Sequence, residues 1–334
     1  MLSRVADAIY WMNRYVERAE NVARFVDVNL HLALDFGDVD EQWGPLVATT
    51  ADEESFAARY DGMSKDNVLR FLTFDRENPN SILACLAKAR ENARTVREVI
   101  SSEMWEQVNR AFLMVTDAAK NPQVMAAPHD FFTAVKQAAH LFVGITYLTM
   151  THNEAWHFGR LGRLLERADK TSRILDVKYF ILLPHEADVG STVDELHWAA
   201  LLRSASAFEM YRKRHGTIRP QDVVDFLMLS RRFPRSVRYC LNTAERSLHA
   251  ITGAPVGTWT NLAERELGRV NADLSYADTA EIIARGLHEY IGDLQLHLNH
   301  VSDAVYATFF AMKPLTPEEE DRRSLPPLSV VRGQ

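Results

Sequence analysis

Apolar residues recur with helical spacing at the beginning of the chain. They lie three, four or seven positions apart, at Ala8, Tyr15, Ala19, Val22, Val26, Leu30 and Ala33. Because an α-helix turns once in about 3.6 residues, these positions form one continuous stripe. The pattern predicts a helix over residues 3–34 with one apolar face.

The same spacing recurs in later segments. It predicts further helices over residues 81–101, 131–150, 155–182, 222–233 and 279–312. Prolines fall where helices are expected to begin or turn, at Pro79, Pro128, Pro220 and Pro234. Ser81 and Ser236 each precede an apolar run, which predicts two helix N-caps. Since no segment shows the alternation of a strand, the predicted fold class is all-α.

The helix predicted over residues 3–34 also has a charged face, opposite its apolar stripe. Successive turns place Arg14, Glu17, Asn21 and Arg24 on this face. Glu20 lies four positions before Arg24, which is the favourable order for an ion pair within a helix. The helix therefore presents two different surfaces.

The charged segment is repeated later in the chain. YVERAENVARFVDV at residues 15–28 and LLERADKTSRILDV at residues 164–177 share six of 14 residues. Glu17, Arg18, Glu20 and Arg24 correspond to Glu166, Arg167, Asp169 and Arg173. Solvated charges are interchangeable, yet the charges are kept while the apolar Val22 corresponds to Thr171. This pattern favours a specific role for the charges.

A second pair of segments has the same relation. FLTFDRENPNSILACL at residues 71–86 and FLMLSRRFPRSVRYCL at residues 226–241 share seven of 16 residues. We interpret the chain as two tandem, pseudo-symmetric helical repeats, residues 1–150 and 151–312, packed as one bundle-like unit. Residues 313–334 are rich in proline and charge and lack an apolar period, which predicts a flexible tail.

Composition narrows the class of protein. The chain has 334 residues, of which 47% are hydrophobic and 25% charged, as in ordinary soluble globular proteins. It has no run of roughly 20 apolar residues that could span a bilayer. Its 2 cysteines are too few for a disulfide framework, and its net charge of −7 disfavours general nucleic-acid binding. These features predict a cytoplasmic protein with no membrane or nucleic-acid partner.

Few arrangements of residues in the sequence are typical of catalytic chemistry. The acidic residues of the two charged segments, together with His140 and His288, are numerous enough for a metal centre. Interleaved arginines would repel a cation, so no metal is predicted. The sequence shows neither an activated nucleophile nor a glycine-rich phosphate loop, so no cofactor is predicted. Cys85 and Cys240 lie in apolar runs and are interpreted as small core residues.

Three interpretations of the charged faces stay open. They can form a solvated surface with weak ion pairs, or a buried polar lock between residues 17–18 and residues 166–167. They can also line a cleft that binds a zwitterion, in which arginines hold the carboxylate and acidic residues hold the ammonium group. The predicted substrate-binding residues are Arg14, Glu17, Arg18, Glu20, Arg24, Glu91, Arg94, Glu166, Arg167, Asp169, Arg173, Arg235 and Arg238.

The repeated ERAEN and ERADK segments, together with RENAR at residues 90–94 and FPRSV at residues 233–237, resemble a known family. The chain is similar to the alpha-E family of all-helical bacterial proteins, which is named for a Glu-Arg motif. The resemblance extends from residue 1 to about residue 312, and the family dipeptide corresponds to Glu17–Arg18 and Glu166–Arg167.

The resemblance implies partners rather than a reaction. Proteins of this kind are typically encoded beside, or fused to, a circularly permuted ATP-grasp protein, often with a transglutaminase-like peptidase. We therefore expect an accessory or substrate-binding partner of a carboxylate–amine ligase that acts in peptide synthesis or modification, with a small amino acid or peptide as ligand. Two alternatives stay open: an enzyme that uses a glutamate of raised pKa as general base, and a purely structural scaffold.

Overall fold

The computed structural model describes residues 1–36, 43–181 and 192–311. The helices are α1 (Ser3–Phe36), α2 (Gly44–Thr50), α3 (Glu53–Ala57), α4 (Lys65–Thr73), α5 (Ile82–Thr95), α6 (Ser102–Ala118), α7 (Gln123–Ala126), α8 (Pro128–Thr149), α9 (Glu154–Ile181), α10 (Thr192–Ser204), α11 (Phe208–His215), α12 (Pro220–Val224), α13 (Val237–Thr252), α14 (Leu262–Tyr276), α15 (Thr279–Arg285) and α16 (Leu287–Val305). Two π-helical turns cover Asp225–Leu229 and Tyr306–Phe310. The described residues contain no strand, which confirms the predicted all-α class.

Helices α1 and α9 pack along each other at the centre of the fold. Helix α1 also packs on α5 and α8, whereas α9 also packs on α13 and α16. Both surfaces of α1 are buried as a result. Val22 on the apolar stripe is 0% exposed, and Glu17 on the charged face is 4% exposed. The charged face therefore forms part of the protein interior.

Two glycines of α9 allow this close approach to α1. A Cβ atom at Gly162 would lie 2.5 Å from the backbone oxygen of Tyr10, and one at Gly159 would lie 2.6 Å from Nδ2 of Asn13. Real Cβ atoms essentially never make contacts this short. The distance between the two central helices therefore depends on the absence of side chains at these positions.

The predicted boundaries agree best for the long helices. Helices α1, α8 and α9 begin within a few residues of their predicted starts. The helix predicted over residues 81–101 ends earlier, at Thr95, and a new helix begins at Ser102, whose N-cap Ser101 accepts a hydrogen bond from the Met104 amide. The expected end of α9 at residue 182 lies outside the described residues.

Two other predicted helices are interrupted. The segment 279–312 is divided at Gly286, which has a φ of +99° that side-chain-bearing residues rarely adopt. The segment 222–233 is helical only to Leu229. Its final turn is π-helical, and the backbone of Ser230 is no longer helical. Residues 312–334, which include the predicted tail, lie outside the described residues.

Both serine N-caps are confirmed. Ser81 Oγ accepts a hydrogen bond from the Ala84 amide at 3.1 Å, and Ser236 Oγ accepts one from the Tyr239 amide at 3.3 Å. Each cap fixes the start of a helix that packs on α1 or α9. The caps also set where the loop just before each helix meets the central pair.

The apolar core lies on both sides of the central helices. One part contains Trp43 and Phe71 beside α1, and another contains Leu241 and Leu267 beside α9. Cys85 and Cys240 are buried and free, and burial raises the pKa of each thiol to about 12, in agreement with their prediction as core residues. Among the described residues, no helix is long and apolar enough to cross a membrane.

Candidate functional site

The charged faces of α1 and α9 are joined by two reciprocal ion pairs. Arg18 donates from Nε to Glu166 Oε1 at 2.7 Å and from Nη2 to Oε2 at 3.0 Å. Arg167 donates from Nε to Glu17 Oε1 at 2.7 Å and from Nη2 to Oε2 at 2.8 Å. Two parallel hydrogen bonds make each pair strong and geometrically specific. Each helix thus supplies one carboxylate and one guanidinium group.

We call Glu166 and the three cations around it the Glu166 cluster. The cations are Arg14, Arg18 and Lys170. Glu166 is 0% exposed, and Arg14 Nε lies 2.9 Å from its Oε2. Lys170 Nζ lies 3.9 Å from its Oε1. Burial alone would raise the pKa of Glu166, but Arg18 and Arg14 hold it well below its usual range. The carboxylate is therefore ionised and fully occupied by protein donors.

The neighbouring groups of the Glu166 cluster are also paired. Asp169 accepts a hydrogen bond from Arg173 Nε at 3.0 Å and lies 3.3 Å from Lys170 Nζ. Arg18 also donates from Nη1 to Asn80 Oδ1 at 2.7 Å, and Asn80 donates to Asp52 at 2.9 Å. Burial lowers the pKa of Arg18 and of Arg173, but the adjacent carboxylates raise both above the usual value. This side of the interface is stabilised by its own charges.

The Glu17 cluster contains Glu17, Arg163, Arg167 and Arg235. Arg235 comes from the loop before α13, and its Nη1 lies 3.4 Å from Glu17 Oε1 and 3.2 Å from Asn21 Oδ1. Burial raises the pKa of Glu17, but the surrounding arginines, Arg167 foremost, lower it to about 2. Besides Arg163 and Arg167 of α9, the charged face of α1 thus contacts a third arginine, Arg235, that belongs to neither central helix.

The edge of the Glu17 cluster is formed by Glu20, Arg24, His140 and Arg235. We call this edge the Arg24 corner. Arg235 Nη2 donates to Glu20 Oε2 at 2.8 Å, and Arg24 forms an ion pair with Glu20. His140 Nε2 lies 3.3 Å from Arg24 Nη2. The His140 side chain is 59% exposed, whereas that of Arg24 is 9% exposed. The corner is therefore open to solvent on its His140 side.

Positive charge exceeds negative charge around Glu17. Burial and neighbouring arginines lower the pKa of Arg24 to about 9 and those of Arg163 and Arg235 to about 10. Nε of Arg24 and Nε of Arg163 are buried and have no hydrogen-bond acceptor among the described residues. Such groups favour an added anion, which would supply both an acceptor and a compensating charge.

Other predicted site residues lie apart from these clusters. Glu91 and Arg94 pair with each other at 2.9 Å on the surface of α5, with side chains 53% and 62% exposed. Arg238 donates from Nη2 to the backbone oxygen of Ser275 at 2.8 Å. The roles of these residues in ligand binding stay predictions, but the structure does not place them with Glu17 or Glu166.

Asn80 and Ser302 are among the contributors that were not predicted from the sequence. Asn80 accepts a hydrogen bond from Arg18. Ser302 Oγ lies 3.4 Å from Arg14 Nη1. Asn80 occupies the position that aligns with Arg235 in the second pair of repeated segments, so the alignment held a signal for it. Ser302 lies in α16 and has no comparable signal in the sequence.

A possible metal site lies elsewhere on α1. Asp27, His31 and His129 each offer a ligand atom, and these atoms lie within 4.8 Å of one another. Lys136 Nζ lies 2.6 Å from Asp27 Oδ2, and His129 Nδ1 lies 2.8 Å from Oδ1. Both carboxylate oxygens are thus engaged, and the Lys136 ammonium group opposes a second cation. The arrangement is better described as a polar contact between α1 and α8.

Comparison with known proteins places the chain in a family. A family model described as a predicted alpha-helical domain with a conserved ER motif matches residues 1–310. The chain belongs to the Alpha-E family. This confirms the resemblance that the Glu-Arg segments predicted. In this Alpha-E protein the two ER dipeptides, Glu17–Arg18 and Glu166–Arg167, supply every charge of the reciprocal pairs.

Similar sequences occur in mycobacteria. One uncharacterized protein of Mycobacterium bovis and two of Mycobacterium tuberculosis are each 25% identical to the chain over 97% of its length. The match covers 39% of each relative, so the chain spans about two-fifths of the length of these proteins. No solved structure gave a significant match.

Proposed function

We propose that this Alpha-E protein is an accessory, substrate-binding partner of an ATP-grasp carboxylate–amine ligase in peptide synthesis or modification. The observation that carries the proposal is the unbalanced positive charge at the Arg24 corner. A carboxylate entering past His140 would meet Arg24 and Arg235, whose guanidinium groups suit bidentate recognition of carboxylates. A free amino acid or a peptide end carries that group.

The corner is suited to binding more than to catalysis of its own. A general base at neutral pH needs a carboxylate of raised pKa that reaches the substrate. Burial raises the pKa of Glu17 and of Glu166, but paired arginines hold both values low, and both side chains are buried. The enzymatic alternative, with one of these glutamates as general base, is therefore disfavoured.

The finer architecture is part of the proposal. We infer two tandem repeats, residues 1–150 and 151–312, that pack as one unit across α1 and α9. Equivalent contacts support this arrangement, since Cys85 Sγ lies 3.6 Å from the Pro79 oxygen and Cys240 Sγ lies 3.5 Å from the Pro234 oxygen. The reciprocal ion pairs have the exchange symmetry that a pseudo-twofold axis produces.

The ligase partner is proposed from the family resemblance and from relative length. In the mycobacterial relatives, most of the polypeptide lies outside the matched region. This supports a role in which the Alpha-E region works beside further polypeptide. We propose that the ATP-grasp protein supplies the nucleotide site, that a transglutaminase-like peptidase is a further component, and that the system acts in the cytoplasm.

The direct test is co-purification of this chain with the ATP-grasp protein encoded beside it. ATP turnover is then measured on a panel of amino acids with and without this chain. A stable complex in which turnover requires both proteins is the expected result. The absence of both association and stimulation would reject the partnership.

A structural scaffold is the second candidate, and the burial of Glu17 and Glu166 favours it. The two candidates differ in what Arg24→Gln does to the complex. A substrate-binding role predicts that the variant still forms the complex but requires more amino acid for half-maximal turnover. A purely structural role predicts an unchanged amino-acid requirement.

A further inference from the structure

A basic groove lies on the second half of the protein, outside the Arg24 corner. It consists of two adjoining cavities of about 610 and 440 Å³, both lined by Arg231 and Arg238. The floor of the larger cavity is apolar and contains Phe226, Leu229 and Phe233. Cavities of this size can hold several side chains of a bound peptide.

Five arginines among the described residues line the two cavities. They are Arg214, Arg231, Arg232, Arg238 and Arg246. Asp225 is the acidic residue among the described lining residues, and its carboxylate lies 3.6 Å from Arg214. The groove is thus strongly positive in a protein whose net charge is −7. Arg214 is paired with Asp225, and the remaining arginines have no ion pair with a carboxylate among the described residues, so they can contact an anionic ligand.

Arg231 and Arg238 line both cavities, and Asp225 acts on Arg238 as well. Burial lowers the pKa of Arg238, and the charge of Arg231 lowers it further. Arg238 is fixed by its hydrogen bond to the Ser275 backbone oxygen, and the neighbouring Tyr276 is 90% exposed. A fixed cation beside an exposed aromatic ring is suited to a ligand with both anionic and apolar groups.

The aligned segment of the first half is less basic. It also borders a cavity, of about 700 Å³, which is lined by Leu83 and by the charged residues Asp66, Arg70, Arg76 and Lys120. Arg76 aligns with Arg231, but Leu83 aligns with Arg238 and Glu77 aligns with Arg232. Arg232 and Arg238 are therefore features of the second half alone, as expected for a binding surface that a structural repeat does not require.

We propose that this groove binds an acidic peptide segment. Its carboxylates contact Arg231 and Arg238, and one apolar side chain enters the cavity beside Phe226 and Phe233. A peptide fits better than a nucleic acid because the floor is apolar and the protein as a whole is acidic. The proposal does not rest on the ligase partnership, since the groove and the Arg24 corner use different arginines.

The test is fluorescence anisotropy with a fluorescein-labelled peptide, Glu-Glu-Phe-Glu-Glu, titrated with the full chain. Arg231→Gln and Arg238→Gln are each expected to weaken binding roughly tenfold, because each removes a charge-assisted contact. Arg76→Gln is the matched control and leaves binding unchanged.

Two further probes make the test specific. A Gln-Gln-Phe-Gln-Gln peptide is expected to lose binding, and a labelled single-stranded oligonucleotide to bind more weakly than the acidic peptide. The proposal is overturned if the acidic peptide does not bind, if the Arg231 and Arg238 variants bind it as tightly as the unaltered chain, or if the oligonucleotide binds more tightly. Unchanged thermal melting of the variants shows that they are folded.

Discussion

The Glu17 and Glu166 clusters are built from the same dipeptide, yet the arginines at their edges differ in pKa. Around Glu166, adjacent carboxylates raise the pKa of Arg18 and Arg173 against the effect of burial. Around Glu17, burial and neighbouring arginines lower the pKa values of Arg24 and Arg235. The carboxylates thus stabilise the charged form of Arg18 and Arg173 more than that of Arg24 and Arg235, and this difference underlies the anion binding that we propose for the Arg24 corner.

The difference comes from a loop rather than from the helices. Arg235, in the loop before α13, donates to both Glu17 and Glu20. The aligned residue before α5 is Asn80, which accepts a hydrogen bond from Arg18 instead of adding a charge. One difference in a loop thus changes which side chains surround the repeated helical motif.

Removal of the Glu166 carboxylate should have the largest effect. Glu166→Gln leaves Arg14 and Arg18 buried without their anion, which is expected to cost about 3–5 kcal/mol of unfolding free energy. The free energy is measured by urea denaturation. A loss below about 1 kcal/mol would show that the Glu166 cluster is not a lock, because surface ion pairs contribute no more than that.

Acid should weaken the same contacts. The pKa of Glu17 falls from its ordinary value of 4.5 to about 2 in the folded protein, and that of Glu166 is also lowered. The unfolded chain therefore binds protons first, so stability contributed above pH 4.5 is lost as the pH falls toward 2. Urea denaturation across this range should show a steeper decline for the unaltered protein than for Glu166→Gln.

Separation of the central helices should affect both clusters together. In Gly162→Ala the new Cβ would meet the Tyr10 backbone oxygen, and overpacking of this kind is expected to cost about 1–3 kcal/mol. Gly144→Ala is the matched control, because a Cβ there meets nothing within 4 Å. Thermal melting compares the two. Equal melting temperatures would contradict the close approach of α1 and α9.

Replacement of aligned arginines should sharpen the contrast between the clusters. Arg24→Gln is expected to weaken binding of glutamate about tenfold, since one charged donor to a carboxylate is lost. Arg173→Gln, at the aligned position beside Asp169, should leave glutamate binding unchanged. Isothermal titration calorimetry measures both. Equal effects of the two substitutions would remove the proposed asymmetry.

The smallest effect is expected at the exposed pair of α5. Glu91→Gln breaks the contact with Arg94, both of whose side chains are more than half exposed. Such pairs contribute about 0.2–0.5 kcal/mol, so the urea midpoint should barely move. A loss comparable with that of Glu166→Gln would mean that burial does not distinguish the two kinds of Glu-Arg contact.

The helices that carry the site could be predicted, because long apolar periods identify α1 and α9 directly from the sequence. The reciprocal pairing of residues 17–18 with residues 166–167 was one of three open interpretations. Periodicity separates the faces of a helix, but it does not show what covers the second face. The burial of Glu17 thus required knowledge of how α9 packs on α1.

The loop contacts were harder to predict. Arg235 was expected near the charged faces, but its contacts with Glu17 and Glu20 depend on how the loop before α13 is fixed by the Ser236 cap. No ligand-binding role was predicted for His140 from the sequence, whereas its side chain forms the open edge of the Arg24 corner. Loop and edge positions depend on tertiary geometry that no local period encodes.

The reciprocal pairs can form only late in the synthesis of the chain. Arg167 and its partner Glu17 are 150 residues apart in the chain. Helix α1 leaves the ribosome long before α9 exists, so its carboxylates must stay hydrated until the second helix emerges. The charged face keeps the nascent helix compatible with water during this wait. The residues that join α1 to α9 in the finished protein are thus the same ones that keep this face of α1 hydrated before α9 is made.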